Sequence, residues 1–322
     1  MGQKDTRGHK SINRANTSVP AHGAKAQNLL ARTVRQAPMW GRQPQHAPLP
    51  PCRTTIAHRF GATALCLCTC LAMNPTIDRR YLLINPNTNA ATTERLRQTL
   101  QPQLPPGVQL DMVTAGFGSH YIACEASHAV AAHACLQAWA QHPGVQAGAL
   151  DGVLIGCFGD PGLFALRESS ACTVTGLAEA SFILAAQHGR FAIVTGGERW
   201  APMLQRLSQA LGFGHLLGHI ETVAPTGAML QADPAMALQC LGDACRQAAA
   251  SGVDAVILGG AGLAGYAKDL RAHCPLPLID SAEAGLQVLL RQLAPKPAHA
   301  QNGFFAPWRD MDPAIMQMPT RP

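Results

Sequence analysis

The chain has 322 residues, 47% of them hydrophobic, 5% aromatic and 14% charged, with a formal net charge of +6. The apolar share excludes a wholly disordered protein, and no run reaches the ~18 apolar residues of a membrane-spanning helix. Residues 1–72 hold ten Lys or Arg against one acid, Asp5, so the remainder is mildly acidic and the positive balance does not argue for a nucleic-acid-binding domain.

Residues 1–72 are rich in Gln, Pro, Ser, Arg and His, without a sustained period of 2 or 3.6, and read as a disordered basic extension. The run ATALCLCTCLA (62–72) has the length of a signal-peptide core but begins too far into the chain, so export is not expected. Met73 stands just before the first convincing strand. A translation start there would make the preceding segment an upstream extension, which N-terminal sequencing of native protein checks.

From Arg80 onward short aliphatic runs alternate with amphipathic stretches. Strands are predicted at 81–85, 108–113, 152–155, 191–195, 218–223, 255–258 and 277–280. Helices are predicted at 90–100, 124–141, 162–169, 177–188, 199–211, 234–250, 263–272 and 282–293. The alternation predicts an α/β fold of parallel sheet covered by helices, with strands buried on both faces. Beyond Leu293 the Pro- and Met-rich end (297–322) shows no period and reads as a tail or a partner-packing arm. Eleven cysteines include no C-x-x-C pair and no zinc-spaced set. Most therefore read as small buried residues in a reducing cytoplasm, and no metal site is expected.

Ligands of open α/β sheets lie beyond the strands' carboxyl ends, which directs attention to the strand-to-helix turns. Four carry unusual chemistry. Asn85-Pro86-Asn87-Thr88-Asn89 clusters neutral donors at a helix start, where ordinary capping is the plainer reading. Gly156-Cys157-Phe158-Gly159-Asp160-Pro161-Gly162 places a thiol where a strand ends, with Asp160-Pro161 as cap and first-turn proline of the next helix. A thiolate at a helix N-terminus is stabilised, which would lower its pKa and suit Cys157 to proton transfer. None of the thirteen His falls in these turns, which argues against acyl transfer. Thr195-Gly196-Gly197-Glu198-Arg199-Trp200 offers an anion nest, with Arg199 either a carboxylate binder or the partner of Glu198. Finally Gly260, Gly262 and Gly265 spell G-x-G-x-x-G, with Asp280 ending the next strand. Too little chain follows for a nucleotide domain, so an anion-binding glycine turn is preferred to NAD binding.

At these turns the chain resembles the aspartate/glutamate/hydantoin racemase family, with the hydantoin and allantoin branch most similar. The resemblance rests on LLINPNTN (82–89), FGSHYI (117–122), IGCFGDPGL (155–163), VTGLAEAS (174–181), IVTGGERW (193–200), LGGAGLAG (258–265) and PLIDS (277–281). It implies two pseudo-symmetric α/β domains, residues 73–188 plus 282–296 and residues 189–281, with the active site in the cleft between them. It also implies a cofactor-independent cytoplasmic isomerase that assembles as a homo-oligomer and acts on a small carboxylate or hydantoin-type substrate. Carried over, Cys157 is the base or acid. Asn87, Thr88, Phe158, Gly159, Thr195, Gly260 and Ala261 fall at substrate-binding positions. The second catalytic thiol of two-cysteine racemases falls at Gly260, which cannot transfer a proton. Racemisation with another partner, one-thiol decarboxylation or isomerisation, and non-catalytic binding all stay open.

Overall fold

The computed structural model describes residues 78–224, 227–295 and 308–317. The basic extension, the run 62–72 and Met73 lie outside them. Two four-stranded parallel sheets form the frame. The first contains β1 (Arg79–Asn85), β2 (Val108–Thr114), β3 (Gly152–Ile155) and β4 (Thr173–Gly176), in the order β2-β1-β3-β4. The second contains β5 (Phe191–Gly196), β6 (Leu217–Val223), β7 (Ala255–Gly259) and β8 (Leu278–Asp280), in the order β6-β5-β7-β8. The same order repeats strand for strand, which is the pseudo-symmetric α/β architecture expected.

The helices are α1 (Ala90–Leu100), α2 (Glu125–Gln141), α3 (Pro143–Gln146), α4 (Leu163–Ser169), α5 (Leu177–Ala185), α6 (Trp200–Ala210), α7 (Gly227–Ala232), α8 (Pro234–Ala249), α9 (Ala267–Leu270), α10 (Ser281–Arg291) and α11 (Pro313–Met316). Among the described residues no helix is long and apolar enough to cross a membrane.

Helix α5 lies between the sheets, packing on α10, on β4 of the first sheet and on β7 and β8 of the second. Its sequence, LAEASFILA, is buried almost all round, as an enclosed helix requires. Phe182 of α5 stacks on Phe191 of β5 at 5.4 Å and meets Phe158 edge-on at 6.4 Å, so one core joins the two halves. Side chains of the second sheet alternate with period 2. Phe191, Ile193, Ala255 and Ile257 face this shared core, while Ala192, Val194, Val256 and Leu258 face a second core beneath α8. Burial on both faces explains why these strands read as unbroken apolar runs.

Four local features differ from the sequence reading. Strand β4 (TVTG) is short and half polar and runs directly into α5; parallel pairing with β3 makes it a strand. The predicted helix 263–272 breaks into a 3-10 turn (Ala261–Leu263), α9 and another 3-10 turn (Arg271–His273). Asp160 does not cap α4, whose N-cap is Gly162. Its carboxylate instead accepts from the Ala178 and Glu179 amides at 2.9 and 2.7 Å, at the start of α5. Lastly, residues 308–317 fold back on α2: Ile315 is fully buried, and Gln141 Nε2 donates to Asp312 Oδ2 at 3.0 Å.

Candidate active site

The carboxyl ends of both sheets converge on one cavity of about 100 Å³, open at its mouth. From the first sheet, the turn after β1 supplies Asn87 and Asn89, the loop after β2 supplies His120 and Tyr121, and the turn after β3 supplies Cys157 and Phe158. From the second, β5 supplies Thr195 and Gly196, and the turn after β7 supplies residues 259–263. Of the residues expected to bind substrate, Asn87, Phe158, Thr195, Gly260 and Ala261 line this cavity together with Cys157.

Two expected residues stand elsewhere. The Thr88 amide donates to Ser119 O at 3.1 Å, tying the β1 turn to the loop after β2. The Gly159 carbonyl is 2.9 Å from His128 Nε2, and Gly159 faces the neighbouring groove beneath Trp200. Arg199 is exposed and outside the lining, whereas Trp200 is part of the cavity wall.

The asparagines divide their labour. Asn85 Nδ2 donates to Asn87 Oδ1 at 3.0 Å, and Asn89 N donates to the same oxygen at 2.9 Å. Asn89 Oδ1 caps α1 by accepting from Ala91 N at 3.0 Å. With its oxygen engaged twice, Asn87 offers the cavity its amide nitrogen, a donor suited to a substrate carbonyl.

Cys157 borders the cavity and is 7% exposed. The dipole argument made for it from sequence does not hold. Helix α4 begins only at Leu163 and has seven residues, and a turn closed by Asp160 N donating to Cys157 O at 3.2 Å separates the thiol from it. Burial pushes the thiol pKa up, and the Asp160 charge and Cys135 add to the shift. Cys157 therefore rests as a neutral thiol.

The glycine turn facing it is built for shape. Gly260 has φ +142°, a conformation side chains rarely adopt, and its amide donates to Ser281 Oγ at 3.1 Å. Asp280 is fully occupied: Oδ1 accepts from the Ala282 and Glu283 amides, capping α10, and Oδ2 accepts from Gly265 N at 2.9 Å. The turn leads into a 3-10 turn and the one-turn helix α9, so it presents no long helix N-terminus to a pyrophosphate. The G-x-G-x-x-G is thus a fold element, and Asp280 is its anchor.

The sequence reading gave no role to His120, Tyr121, Ile122 or Thr92, all of which line the cavity. The signal was available, because FGSHYI follows the carboxyl end of β2 and the same rule that drew attention to the other turns applies to it.

The fold agrees with what similarity to known proteins shows. The Asp/Glu/Hydantoin racemase family model matches residues 82–289. A hydantoin racemase of Paenarthrobacter aurescens is 30% identical over 219 residues, which cover 65% of this chain and 89% of that protein. The allantoin racemase from Klebsiella pneumoniae matches with a TM-score of 0.63 at 29% identity, over 67% of this chain and 87% of that one. The allantoin racemase from Pseudomonas fluorescens repeats the fold with a TM-score of 0.62 at 22% identity. The sheet order, the cavity between the sheets and these matches have one reading: the chain belongs to the Asp/Glu/hydantoin racemase family, in its hydantoin and allantoin racemase branch.

Proposed function

We propose that the protein is a cofactor-independent racemase of hydantoin-type cyclic amides, with Cys157 transferring the proton α to a ring carbonyl. The observation that carries this reading is the character of the cavity. It holds one thiol and one imidazole, His120, among neutral amides and hydroxyls, and no Asp, Glu, Lys or Arg is among its described lining residues. A zwitterionic amino acid would bring a carboxylate and an ammonium into a space without a charged partner, at a desolvation cost of several kcal/mol per ion. A neutral ring of alternating carbonyl and N–H groups finds hydrogen-bond partners in Asn87, Thr195 and backbone amides. The absence of Lys and Arg from the described lining weighs against a one-thiol decarboxylase of malonate-type acids.

The α proton of a hydantoin is flanked by a carbonyl and a ring nitrogen, so its removal leaves an enolate. Amide and hydroxyl donors placed before the reaction stabilise that charge without reorganising. The test is proton exchange by NMR in deuterated buffer. Enantiopure 5-substituted hydantoins, allantoin, aspartate and glutamate are incubated with the protein, and enzyme-free controls correct for spontaneous racemisation. Loss of the α-proton signal and of optical activity is expected for the cyclic amides, and the loss of optical activity is abolished by Cys157→Ala. Exchange confined to the amino acids would overturn the substrate class, and racemisation surviving Cys157→Ala would overturn the role of the thiol.

A further inference from the structure

Inversion through a planar carbanion needs a base on one face and an acid on the other. Glycine at 260 cannot be that acid. The titratable side chains among the residues lining the cavity are Cys157, His120 and Tyr121. We propose that the Tyr121 hydroxyl is the second proton-transfer group, reaching across the cleft to the place a second thiol would hold. This rests on the racemase reading above.

The geometry supports it at both ends of the side chain. Tyr121 is rooted in the loop after β2, in the same half as Cys157, but its hydroxyl lies against the other half. It donates to Gly196 O at 3.3 Å, at the end of β5. Strands β5 and β7 pair with Thr195 opposite Gly259. Tyr121, Gly196, Gly260 and Cys157 all line the one cavity, so a hydroxyl held at Gly196 shares it with the Gly260 turn and with the thiol. The backbone is fixed as well, through Thr88 N donating to Ser119 O two residues before Tyr121. Burial raises the Tyr121 pKa, the Trp200 contact lowers it, and the Cys157 charge raises it. Thiolate and tyrosinate thus disfavour each other, so once one proton has left the pair the second is retained.

The step balances without an oxidant or reductant. With Cys157 ionised and Tyr121 protonated, the thiolate takes the α proton. The S–H bond forms, and the C–H electron pair passes into the adjacent carbonyl as an enolate. The Tyr121 O–H bond then breaks as its proton joins the opposite face, leaving tyrosinate. This product form of the enzyme is the reactant form for the other enantiomer, and exchange with water interconverts the two.

The test follows each enantiomer of one hydantoin separately in deuterated buffer, using wild type, Tyr121→Phe, His120→Gln and Cys157→Ser. Circular dichroism confirms that the ring-conserving Phe variant is folded. Tyr121→Phe is expected to lose racemisation ~100-fold or more while still exchanging the α proton of one enantiomer with retention. Cys157→Ser is expected to keep exchange only for the opposite enantiomer. The proposal is overturned if Tyr121→Phe racemises like wild type, if it loses exchange of both enantiomers equally, or if His120→Gln gives the one-sided pattern instead. A wild type that exchanges neither enantiomer overturns the racemase reading itself, a result distinct from any of these.

Discussion

The Phe158 ring, carried on the first sheet, lies against the backbone of Gly259 on the second, so closely that a Cβ at 259 would overlap the ring. Phe158 also meets Phe182 in the core that joins the halves, so it cannot step aside without disturbing α5. Gly259→Ala is therefore expected to destabilise by about 1–3 kcal/mol through overpacking. Displacement of the adjacent Cys157 should lower turnover as well. Denaturant unfolding and hydantoin racemisation of the purified variant measure both, and an unchanged midpoint would show that the two halves have room to separate.

Two cysteines should differ in reactivity, and in the reverse order to what sequence suggests. Cys124 is the N-cap of the seventeen-residue α2, and hydrogen bonds from the Ser127 side chain and from backbone amides lower its thiol pKa. Cys157 is buried and its pKa is raised. Iodoacetamide at neutral pH, followed by peptide mass spectrometry, is expected to label Cys124 well before Cys157. Faster labelling of Cys157 would mean that its thiolate is present at rest.

A pH dependence follows from the same neutral thiol. Cys157 must lose its proton before it can act as a base, and its pKa lies above the ordinary thiol value. The ionised fraction of free enzyme therefore grows with pH, and kcat/KM is expected to climb between pH 7 and 9 by up to about tenfold per unit. A profile that peaks near neutrality and falls by pH 9 would contradict a buried neutral thiol.

Asp160 links the Cys157 turn to α5, and its loss should be costly for a reason unrelated to catalysis. The residue is 3% exposed, lies at φ +49°, and accepts from two buried amides. Asp160→Ala leaves both donors unpaired and puts alanine in the left-handed region, an expected cost of about 3 kcal/mol or more. Asp160→Asn keeps one acceptor and a side chain that tolerates this backbone, so it should cost less than half as much. Equal losses in thermal or denaturant unfolding would mean that charge, not the two hydrogen bonds, matters here.

How much of this was legible in the sequence depends on the range of the forces involved. Seven of the eight strands follow from local apolar runs, because burial on both faces writes itself into consecutive residues. Strand β4 was not legible, since TVTG owes its state to pairing with β3 rather than to its own pattern. Cys157 was legible as a thiol at a strand's carboxyl end, but its protonation was not, because burial is set by chain that arrives from β1, α2 and α5. Asp160 misled for the same reason: a local rule gave it to α4, while the fold brings the α5 amides eighteen residues further on to its carboxylate. Tyr121 sits in an irregular loop without periodicity; its place after the carboxyl end of β2 was readable, but the docking of its hydroxyl on Gly196 was not.

Restoring the thiol that the resemblance expects tests whether Gly260 is a simple loss or part of a different solution. Its φ of +142° and ψ of 129° lie where side chains are rarely found, and its amide is held by Ser281 Oγ. A cysteine there would have to strain the backbone or turn it, at about 1–3 kcal/mol. A Cβ built on the present backbone would meet Leu263 at an ordinary contact of 3.4 Å, so the cost lies in the backbone and not in crowding. Gly260→Cys is accordingly expected to fold with a lower unfolding midpoint and to gain no racemisation over wild type, because the new thiol would compete with Tyr121 for one side of the cleft. A variant that is as stable as wild type and several-fold faster would instead show that this turn accepts a thiol without cost, and that the place opposite Cys157 stands empty in the native protein.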